Sequence, residues 1–488
     1  MEQFAPTTAD DVIDTIQAAI ANETPLEVVG NHTKRALGRP IEAIHGLTTR
    51  SMRGIHFYEP SELVVSLAPG TTMRELTDLL DQNAQELAFE PIDYGRLLGH
   101  EPLSGTVASV IATNASGPRR IKAGAARDHL LGFHAVSGRG EAFQSGGRVM
   151  KNVTGYDLSK LMTGSYGTLA VYTDLTLKIL PKPEMEETLI VHGLADQAAI
   201  DVMTEASGLP HEVSSFAHLP ADVAAAMDDP FRASGAVTAL RLEGPEISVA
   251  KRKQDLRQHF AQCGGEFDEI GATQSRAFWH ALRDCAPLSQ RDGDIWRLSA
   301  VPTDGVRIVN AIRAAGIDRA AYYDWAGGLI WLVTPTAAAT AAPTIRTALK
   351  ATGGHATLLR ASAETRAAVD VFHPQPAALA ALTARVKNSF DPERILNRGR
   401  MRKDLLCKPI SRHSNCAIPM SRTPKRSCAN ASIAASARRP ARPISCSATN
   451  STARAGASIS SRRCSKMRGR PTPRRSNMSI AASRACPA

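Results

Sequence analysis

Three glycine-containing segments bring together residue types that suit a negatively charged ligand. The first is Gly30-Asn31-His32-Thr33-Lys34, which directly follows the apolar run LEVV. Successive backbone N–H groups in a turn that glycine permits can form a concave anion site, and Thr33 and Lys34 add a hydroxyl group and a positive charge. This segment predicts a phosphate-binding loop.

The second segment is Ser104-Gly105-Thr106, which continues into IATNASGPRR (111–120). Its small residues allow a ligand to approach the backbone closely, and its two arginines offer guanidinium groups suited to phosphate. Asn114 and Gly117 lie in the same stretch and are further candidates for contact with the ligand.

The third segment, KNVTGYDLSKLMTGSYGTL (151–169), places Gly155, Gly164 and Gly167 around a short helix, with Tyr156 beside the first glycine. A single glycine loop is more often a simple turn than a binding site. Together, the three segments predict a site for a long, flat ligand that carries a diphosphate. The chain contains neither GxGxxG nor GxxxxGK[ST], which argues against a Rossmann or P-loop nucleotide site.

Polar residues after position 184 do not have the spacing of a metal site. They lie in FWHALRDCAPL (278–288), YYDWAGGLIWL (322–332) and GGHATLLR (353–360), and the candidates are His280, Arg283, Asp324, His355 and Arg360. Without HxxH or HExxH spacing, we expect each to be a structural residue or a subunit contact, so no metal site or catalytic residue is assigned. The same region holds Trp279, Trp296, Trp325 and Trp331, which we expect mainly in the core, with at least one at an interface suiting an obligate subunit.

The elements that must position these loops alternate between helix and strand. Thr8 and Asp11 predict the capped start of a helix in TTADDVIDTIQAAIANET, and Thr72 and Glu75 predict another in TTMRELTDLLDQN. LEVVG (26–30) and ELVVSLAPG (62–70) predict strands, and FHAVSGRGEAFQSGG (133–147) predicts a hairpin that turns at Gly138–Gly140.

Period-two alternation predicts a further strand in TLAVYTDLTLKIL (168–180). The residues expected on one face are Leu169, Val171, Leu175, Leu177 and Ile179. This order of elements indicates an α+β domain over residues 1–183, and PKPEMEE (181–187) is typical of a domain boundary.

Charge and cysteine content change abruptly near residue 405. The whole chain of 488 residues has a net charge of +11, but the stretch from Leu405 to the end contains 17 Lys and Arg and no Asp or Glu. Six of the eight cysteines also lie in this stretch. The residues before this point therefore form a mildly acidic body with few cysteines, and the residues after it form a basic tail with more cysteines.

The tail has no Phe, Trp or Tyr and no apolar periodicity, so we expect it to be disordered. Three explanations remain open: a GC-rich coding sequence read out of frame, which the composition favours, a disordered basic arm, or a binding module. The lack of stacking aromatic residues argues against nucleic acid as a partner.

Two features of the sequence bear on the cellular compartment of the protein. No run of 18 apolar residues predicts a membrane span, and the N-terminus has acidic residues but no Lys or Arg before Lys34, which does not suit a secretory signal. We expect a cytoplasmic protein.

The loop residues resemble a known family. Val28-Val29 and the first loop, followed by LGRP (37–40), are similar to the first flavin loop of the vanillyl-alcohol-oxidase-like (PCMH-type) FAD proteins. The turn at Pro69-Gly70, the segment 113–120 and Arg127-Asp128 are similar too.

The most specific segment, GGRVMKNVTGYDLSKLMTGSYGTLAVYTDLTLKILPKP (146–183), resembles the FAD-binding (E-type) subunits of bacterial glycolate oxidase, also called glycolate dehydrogenase. The likeness is strong over 25–185, weak over 186–370, and returns in FDPERILNRGRM (390–401). There the family usually reads DPxxxxNPGRM, and Arg398 stands in place of Pro. Family chains end near Met401, which supports the out-of-frame interpretation of the tail.

The resemblance implies an α+β chain in four parts. These are a two-lobed PCMH-type FAD-binding domain (1–183), a smaller α/β cap or subunit-contact domain (184–370), a segment that returns to the flavin domain (371–401) and a disordered basic tail (402–488).

The resemblance also implies FAD as the cofactor. Its pyrophosphate would lie near Gly30–Lys34 and Ser104–Thr106, Asn114, Gly117 and Arg127 would shape the flavin wall, and Gly155 to Gly167 would close over the ribityl chain. Some members of the wider superfamily bond the flavin covalently to a histidine near the position of His32, although the E-type subunits do not usually do so.

The function implied is oxidation of glycolate to glyoxylate by a complex. A D-type flavoprotein subunit would oxidise the 2-hydroxy acid and an F-type iron–sulphur subunit would take the electrons, because this chain lacks cysteine sets for such clusters. The partners would also explain attachment to the inner face of the cell membrane. The alternatives are a stand-alone FAD oxidoreductase for another 2-hydroxy acid or alcohol, and a nucleic-acid-binding or structural protein.

Overall fold

The computed structural model describes residues 2–148, 155–336 and 338–403. The first part of the third glycine loop and the predicted basic tail beyond residue 403 therefore lie outside the described residues. The described residues belong to one compact unit.

A small parallel sheet carries the first glycine loop. Its strands, in the spatial order β1-β3-β2, are β1 (Gln3–Phe4), β2 (Leu26–Val29) and β3 (His45–Thr48). Helix α1 (Ala9–Ala21) packs against this sheet through Val12, Ile16 and Ala19, and the predicted capping box of Thr8 and Asp11 forms at its start. Burial of this face places the end of β2, and hence the loop, at a defined position.

An antiparallel sheet follows, with the order β4-β5-β9-β7-β8, and a separate pair joins β6 and β10. The strands are β4 (Ile55–Glu59), β5 (Val64–Leu67), β6 (Gln85–Glu86), β7 (Leu130–Ser137), β8 (Ala142–Gly146), β9 (Ala170–Lys178) and β10 (Leu180–Pro181). The predicted hairpin is β7–β8, and its turn lies at Gly138–Gly140 as expected.

The prediction for one face of β9 is wrong at Val171. A β-bulge leaves Thr173 without a partner, because His134 pairs with Asp174 and the next residue, Ala135, pairs with Tyr172. The extra residue reverses the alternation, so Val171 packs in the core with α1, whereas Leu175 and Leu177 pack in the larger core.

Within the described part of this region, six further helices lie between the strands. They are α2 (Met73–Asp81), which begins at the predicted Thr72 capping box, and then α3 (Gly95–Leu98), α4 (Val107–Thr113), α5 (Arg120–Ala123), α6 (Ala126–His129) and α7 (Leu158–Met162). Helix α4 begins at the second glycine loop, where Thr106 accepts from the Ser109 N–H as the N-cap residue.

Residues 185–360 build an eight-stranded sheet in which every pair of neighbours is antiparallel, in the order β14-β11-β13-β12-β16-β17-β15-β18. Its strands are β11 (Met185–His192), β12 (Ser215–Leu219), β13 (Val237–Gly244), β14 (Glu266–Ile270), β15 (Asp294–Ser299), β16 (Ala320–Asp324), β17 (Leu329–Thr334) and β18 (His355–Arg360).

Helices cover one face of this sheet, and the other face shares a core with the first 183 residues. The helices of this region and of the segment that follows are α8 (Asp196–Gly208), α9 (Ala221–Ala224), α10 (Glu246–His259), α11 (Ala272–Arg283), α12 (Ala286–Ser289), α13 (Gly305–Ala314), α14 (Ala338–Lys350), α15 (Ala363–Ala368) and α16 (Ala377–Phe390). All four tryptophans are buried within the chain.

The residues after α16 return to the first sheet. The Leu26 N–H donates to the Ile395 carbonyl at 2.7 Å, and the Asn397 side chain accepts from the Val28 N–H at 2.8 Å. Asn397 itself has a left-handed φ of 43°. These bonds attach the segment around FDPERILNRGRM to the strand that carries the first glycine loop.

Candidate functional site

The turn after β2 leaves four consecutive backbone amides free of partners within the described part of the chain. These are the N–H groups of residues 31 to 34. His32 has a left-handed φ of 61°, and a left-handed residue within a turn allows successive N–H groups to converge. The first loop therefore has the backbone of an anion site.

The second loop lies directly against the first. A Cβ on Gly30 would come within 2.4 Å of the Thr106 Oγ1, and a Cβ on Gly105 would come within 3.0 Å of the Lys34 Nζ. The Asn31 Nδ2 donates to the Ser104 carbonyl at 2.8 Å. Close approach between the loops therefore requires glycine at position 30, whereas at position 105 a Cβ would only shift the flexible end of Lys34.

Lys34 contributes an unpaired positive charge. Its Nζ donates to the Ser109 Oγ at 3.1 Å, and no described carboxylate lies within ion-pair distance. Burial lowers the pKa of Lys34 to about 8, and Asp93 opposes this only in part. A phosphate group would supply the missing negative charge.

Gly30–Lys34 and Thr106 line one cavity, whereas Ser104 and Gly105 are not among its lining residues. Its further lining residues were not candidates from the sequence, and they include Ala112, Thr113, Tyr166, Tyr172, Asn397 and Arg400. Two buried polar atoms facing this region, the Asn31 Oδ1 and the Tyr172 hydroxyl, have no hydrogen-bond partner in the described chain. Buried polar atoms are normally satisfied, so both atoms fit a ligand with hydroxyl and polar ring groups.

Asn114, Gly164 and Gly167 are brought close to this cavity, whereas Gly117 packs against Glu90 and Arg283. Gly167 lines it, with a φ of 66° and only 2.8 Å between its ideal Cβ position and the Asn397 Nδ2. Gly164 lies against Asn114, while the Gly117 carbonyl accepts from the Trp325 Nε1 at 3.2 Å. The second and third loops are distant in the sequence but lie next to each other in the fold.

Arg127, Gly155 and Tyr156 are not brought into the cavity. Arg127 and Gly155 are exposed, and Tyr156 is 92% exposed. The Arg127 backbone N–H nevertheless reaches the Asn114 Oδ1 at 3.3 Å. Their role in binding stays a prediction.

His32 is half-buried at the mouth of the first loop. Its Nε2 lies 3.0 Å from the Gln3 Nε2, and burial lowers its pKa. The neutral ring that this favours is the nucleophilic form, so covalent and non-covalent attachment both stay open.

The candidate residues after position 184 do not form one site, because each has different neighbours. Arg360 donates to the carbonyls of Ser289 and Arg291, which makes it a structural anchor. Arg283 pairs with its neighbour Asp284 at 2.7 Å. His280 is exposed beside the buried charges around Glu90, described below.

Asp324 and His355 differ from these. Asp324 is buried and accepts from the Trp325 N–H, and burial raises its pKa to about 7. His355 is exposed on β18. Within the described residues, no group of three or more His, Cys, Asp or Glu side chains has the arrangement of a metal site.

Comparison with known proteins identifies the family. Residues 3–146 match the family FAD_binding_4, an FAD binding domain. The chain is 32% identical to "Glycolate oxidase subunit GlcE" of Escherichia coli (strain K12) over 396 residues, which cover 81% of this chain and 97% of the relative. The chain belongs to the family of E-type glycolate oxidase subunits.

Other similarities agree with this assignment. The chain is 28% identical to "Glycolate oxidase subunit GlcD" of Bacillus subtilis (strain 168) over 38% of each chain. The solved structure of p-cresol methylhydroxylase with substrate bound has the same fold, with a TM-score of 0.61 and 15% identity over 83% of this chain and 89% of that one. This E-type chain is therefore an FAD-dependent oxidoreductase subunit with a PCMH-type fold.

The cavity fits the cofactor of the family. Free amides, Lys34 and the close loops suit a pyrophosphate, and the unpartnered polar atoms suit the rest of a dinucleotide. When bound, FAD accepts two electrons from an oxidisable substrate. The residues that line the cavity would hold and orient it.

Proposed function

We propose that this chain is the FAD-binding subunit of a complex that oxidises glycolate to glyoxylate. The observation that carries the proposal is the similarity to GlcE, which extends over 97% of that relative. The cavity between the first and second loops supports it because its free amides and unpaired Lys34 suit a flavin dinucleotide.

In this proposal, Gly30–Lys34 and Ser104–Thr106 hold the pyrophosphate. Asn114 and Gly117 shape the wall beside the ring, and Gly164 and Gly167 lie along the ribityl chain. Arg127, Gly155 and Tyr156 enter the proposal through the family resemblance alone.

The complex contains a D-type flavoprotein and an F-type iron–sulphur subunit. Oxidation of glycolate releases two electrons and two protons, and the iron–sulphur subunit receives the electrons. The complex works in the cytoplasm and contacts the inner face of the cell membrane through its partners. No helix in the described ranges of this chain combines the length and apolar character needed to cross a membrane.

The test is to express the full chain with and without D-type and F-type subunits and to measure bound flavin and glycolate-dependent dye reduction. We expect acid to release FAD from the chain, and activity to require this chain in the complex. Equal activity without this chain would contradict the proposal. Flavin retained in the acid pellet would indicate covalent attachment at His32, and activity of the chain alone would favour the stand-alone oxidoreductase.

Gly30→Ala provides a structural check because the new Cβ would meet the Thr106 side chain. The matched control is Gly235→Ala, where the new Cβ has no atom within 4 Å. We expect loss of flavin only in the first variant. Equal flavin content in both would place the cofactor elsewhere.

A further inference from the structure

Three basic side chains meet where the eight-stranded sheet faces the first 183 residues. We call Arg120, Arg297 and His355 the cation cluster. Arg120 begins α5, Arg297 lies on β15, and His355 lies on the neighbouring strand β18. No described carboxylate lies within ion-pair distance of any of the three.

Trp325 holds the two arginines together. The Cζ atoms of Arg120 and Arg297 lie 4.6 and 5.0 Å from the centroid of its ring, so they are at most about 10 Å apart. The Trp325 Nε1 donates to the Gly117 carbonyl, which belongs to the loop between α4 and α5. This contact connects the cation cluster to the second glycine segment.

The charges of the two arginines repel each other, and no ion pair among the described residues offsets this repulsion. Burial lowers the pKa of Arg120, the charge of Arg297 lowers it further, and Asp128 opposes this only in part. Desolvation likewise lowers the pKa of His355, with a contribution from Arg297. Such an arrangement is unfavourable unless an anion joins it.

Arg297 also has an unmet hydrogen-bonding requirement. Its Nε is buried and has no acceptor among the described residues. Trp331, its register partner on β17, has an Nε1 that is equally buried and unpartnered. Two buried donors without acceptors on paired residues are uncommon and point to a missing acceptor.

The charge of Arg297 acts on a residue that lines the flavin cavity. Tyr166 lines that cavity, and burial raises its pKa to about 12 while the charge of Arg297 opposes the rise. The same charge acts on Tyr94, whose pKa burial also raises. Arg120 and Arg297 are partly exposed and His355 is exposed, so a small anion can reach them from solvent.

We propose that the cation cluster binds the carboxylate of a small 2-hydroxy acid or of its 2-oxo product, with Arg297 as the principal donor. The planar guanidinium suits the two oxygens of a carboxylate, Arg120 adds positive potential, and the neutral His355 ring can donate a hydrogen bond. The inference rests on the proposed function and deepens it: this subunit has its own acid-binding site beside its flavin cavity. A carboxylate side chain of a partner subunit is the competing occupant.

The test uses the full, flavin-containing chain without partners. Oxalate, a two-carbon acid that lacks an oxidisable C–H bond, is titrated while the flavin absorbance is followed, and calorimetry gives the affinity. We expect Arg297→Met to weaken oxalate binding about 10- to 100-fold, because the loss of a hydrogen bond to a charged group typically reduces affinity by this factor. Arg297→Lys should lose less, and Arg120→Met should lose only a few-fold.

The matched control is Arg307→Met, which removes an exposed arginine on α13 that pairs with Asp304. It should leave oxalate affinity unchanged. Flavin content and thermal midpoint of each variant show whether the fold is retained, and Arg297→Lys serves if Arg297→Met does not fold.

Three results would overturn the inference: unchanged affinity in Arg297→Met, equal competition by sulfate, or no oxalate binding by a yellow, folded chain. The last result would favour a partner carboxylate as the occupant. A colourless chain that still binds oxalate through Arg297 would instead contradict only the proposed flavin function, so the two failures are distinguishable.

Discussion

Two groups of arginines lie on the same face of the eight-stranded sheet, and they differ in their partners. Arg241 on β13 is 1% exposed, stacks 4.8 Å from the Trp279 ring and binds both oxygens of Glu90 at 2.7 Å. Arg119 beside it pairs with Glu86 and Glu243. Arg297 and Arg120 also stack on a tryptophan, but no described acid pairs with them.

The presence or absence of an acidic partner distinguishes charged side chains that stabilise the fold from those that are available to a ligand. Burial alone would raise the pKa of Glu90, but the Arg241 guanidinium outweighs burial and holds it at about 2. Asp324 forms no ion pair with a described residue: the charges of Arg241 and Arg297 lower its pKa only in part, and burial prevails and raises it to about 7. Compensated groups join the sheet to the flavin domain, whereas uncompensated groups are poised to bind anions or protons.

Breaking the compensated pair should have the largest effect. Arg241→Met leaves Glu90 buried without its partner, and we expect a loss of about 3–5 kcal/mol in the free energy of unfolding. Denaturant unfolding of the full chain measures it. The double variant Arg241→Met/Glu90→Gln should recover part of the loss, and an equal loss in both would show that the pair is not coupled.

Asp324 should make stability depend on pH in the opposite sense to a paired acid. The folded state retains its proton up to about pH 7, whereas an unfolded Asp ionises near its ordinary value of 3.8. Stability should therefore fall as pH rises from about 4 to about 7 and then level off, by about 1.4 kcal/mol for each unit of pKa difference. Unfolding curves of wild type and Asp324→Asn measure this, and the same slope in both would assign it to another group.

Substitution of Lys34 tests whether a cation without an acidic partner favours ligand binding. Lys34→Met should weaken FAD binding about 10-fold, the effect of one charge-assisted hydrogen bond. In the wild type, FAD affinity should decrease above a pH of about 8, where free Lys34 loses its proton. Fluorescence titration at pH 7 and 9 checks both, and Lys182→Met, on an exposed pair with Asp81, is the control.

Arg297→Met should affect stability least. No buried acid loses its partner, and the contact with Trp325 is worth about 1 kcal/mol or less. The unfolding free energy should therefore remain within about 1 kcal/mol of wild type. A loss as large as that of Arg241→Met would remove the distinction between the two arginine groups.

Much of the local structure follows from the sequence. The caps at Thr8 and Thr72 and the β7–β8 hairpin follow from short-range patterns, and their predictions are confirmed. Val171 was misplaced because a bulge depends on the partner strand, which the alternation of one strand does not reveal.

The first two glycine segments were also recognisable, although the full cavity was not. Asn397 meets β2 across 369 residues of chain, and Tyr166 joins the lining only after the third segment folds against α4. Their residue types carry no local signal for such a role. The motif at 390–401 could have indicated Asn397, since it was part of the family resemblance.

Arg241 and Arg297 have similar local sequences, but only the tertiary structure determines their partners. TALRLEG (238–244) and DIWRLS (294–299) each place an arginine directly before a leucine, so the neighbouring residues do not distinguish Arg241 from Arg297. Folding brings Glu90 to Arg241 from 151 residues away and brings no described acid into an ion pair with Arg297. Strand and turn depend on neighbouring residues, but the compensation of a charge depends on which distant residues arrive beside it.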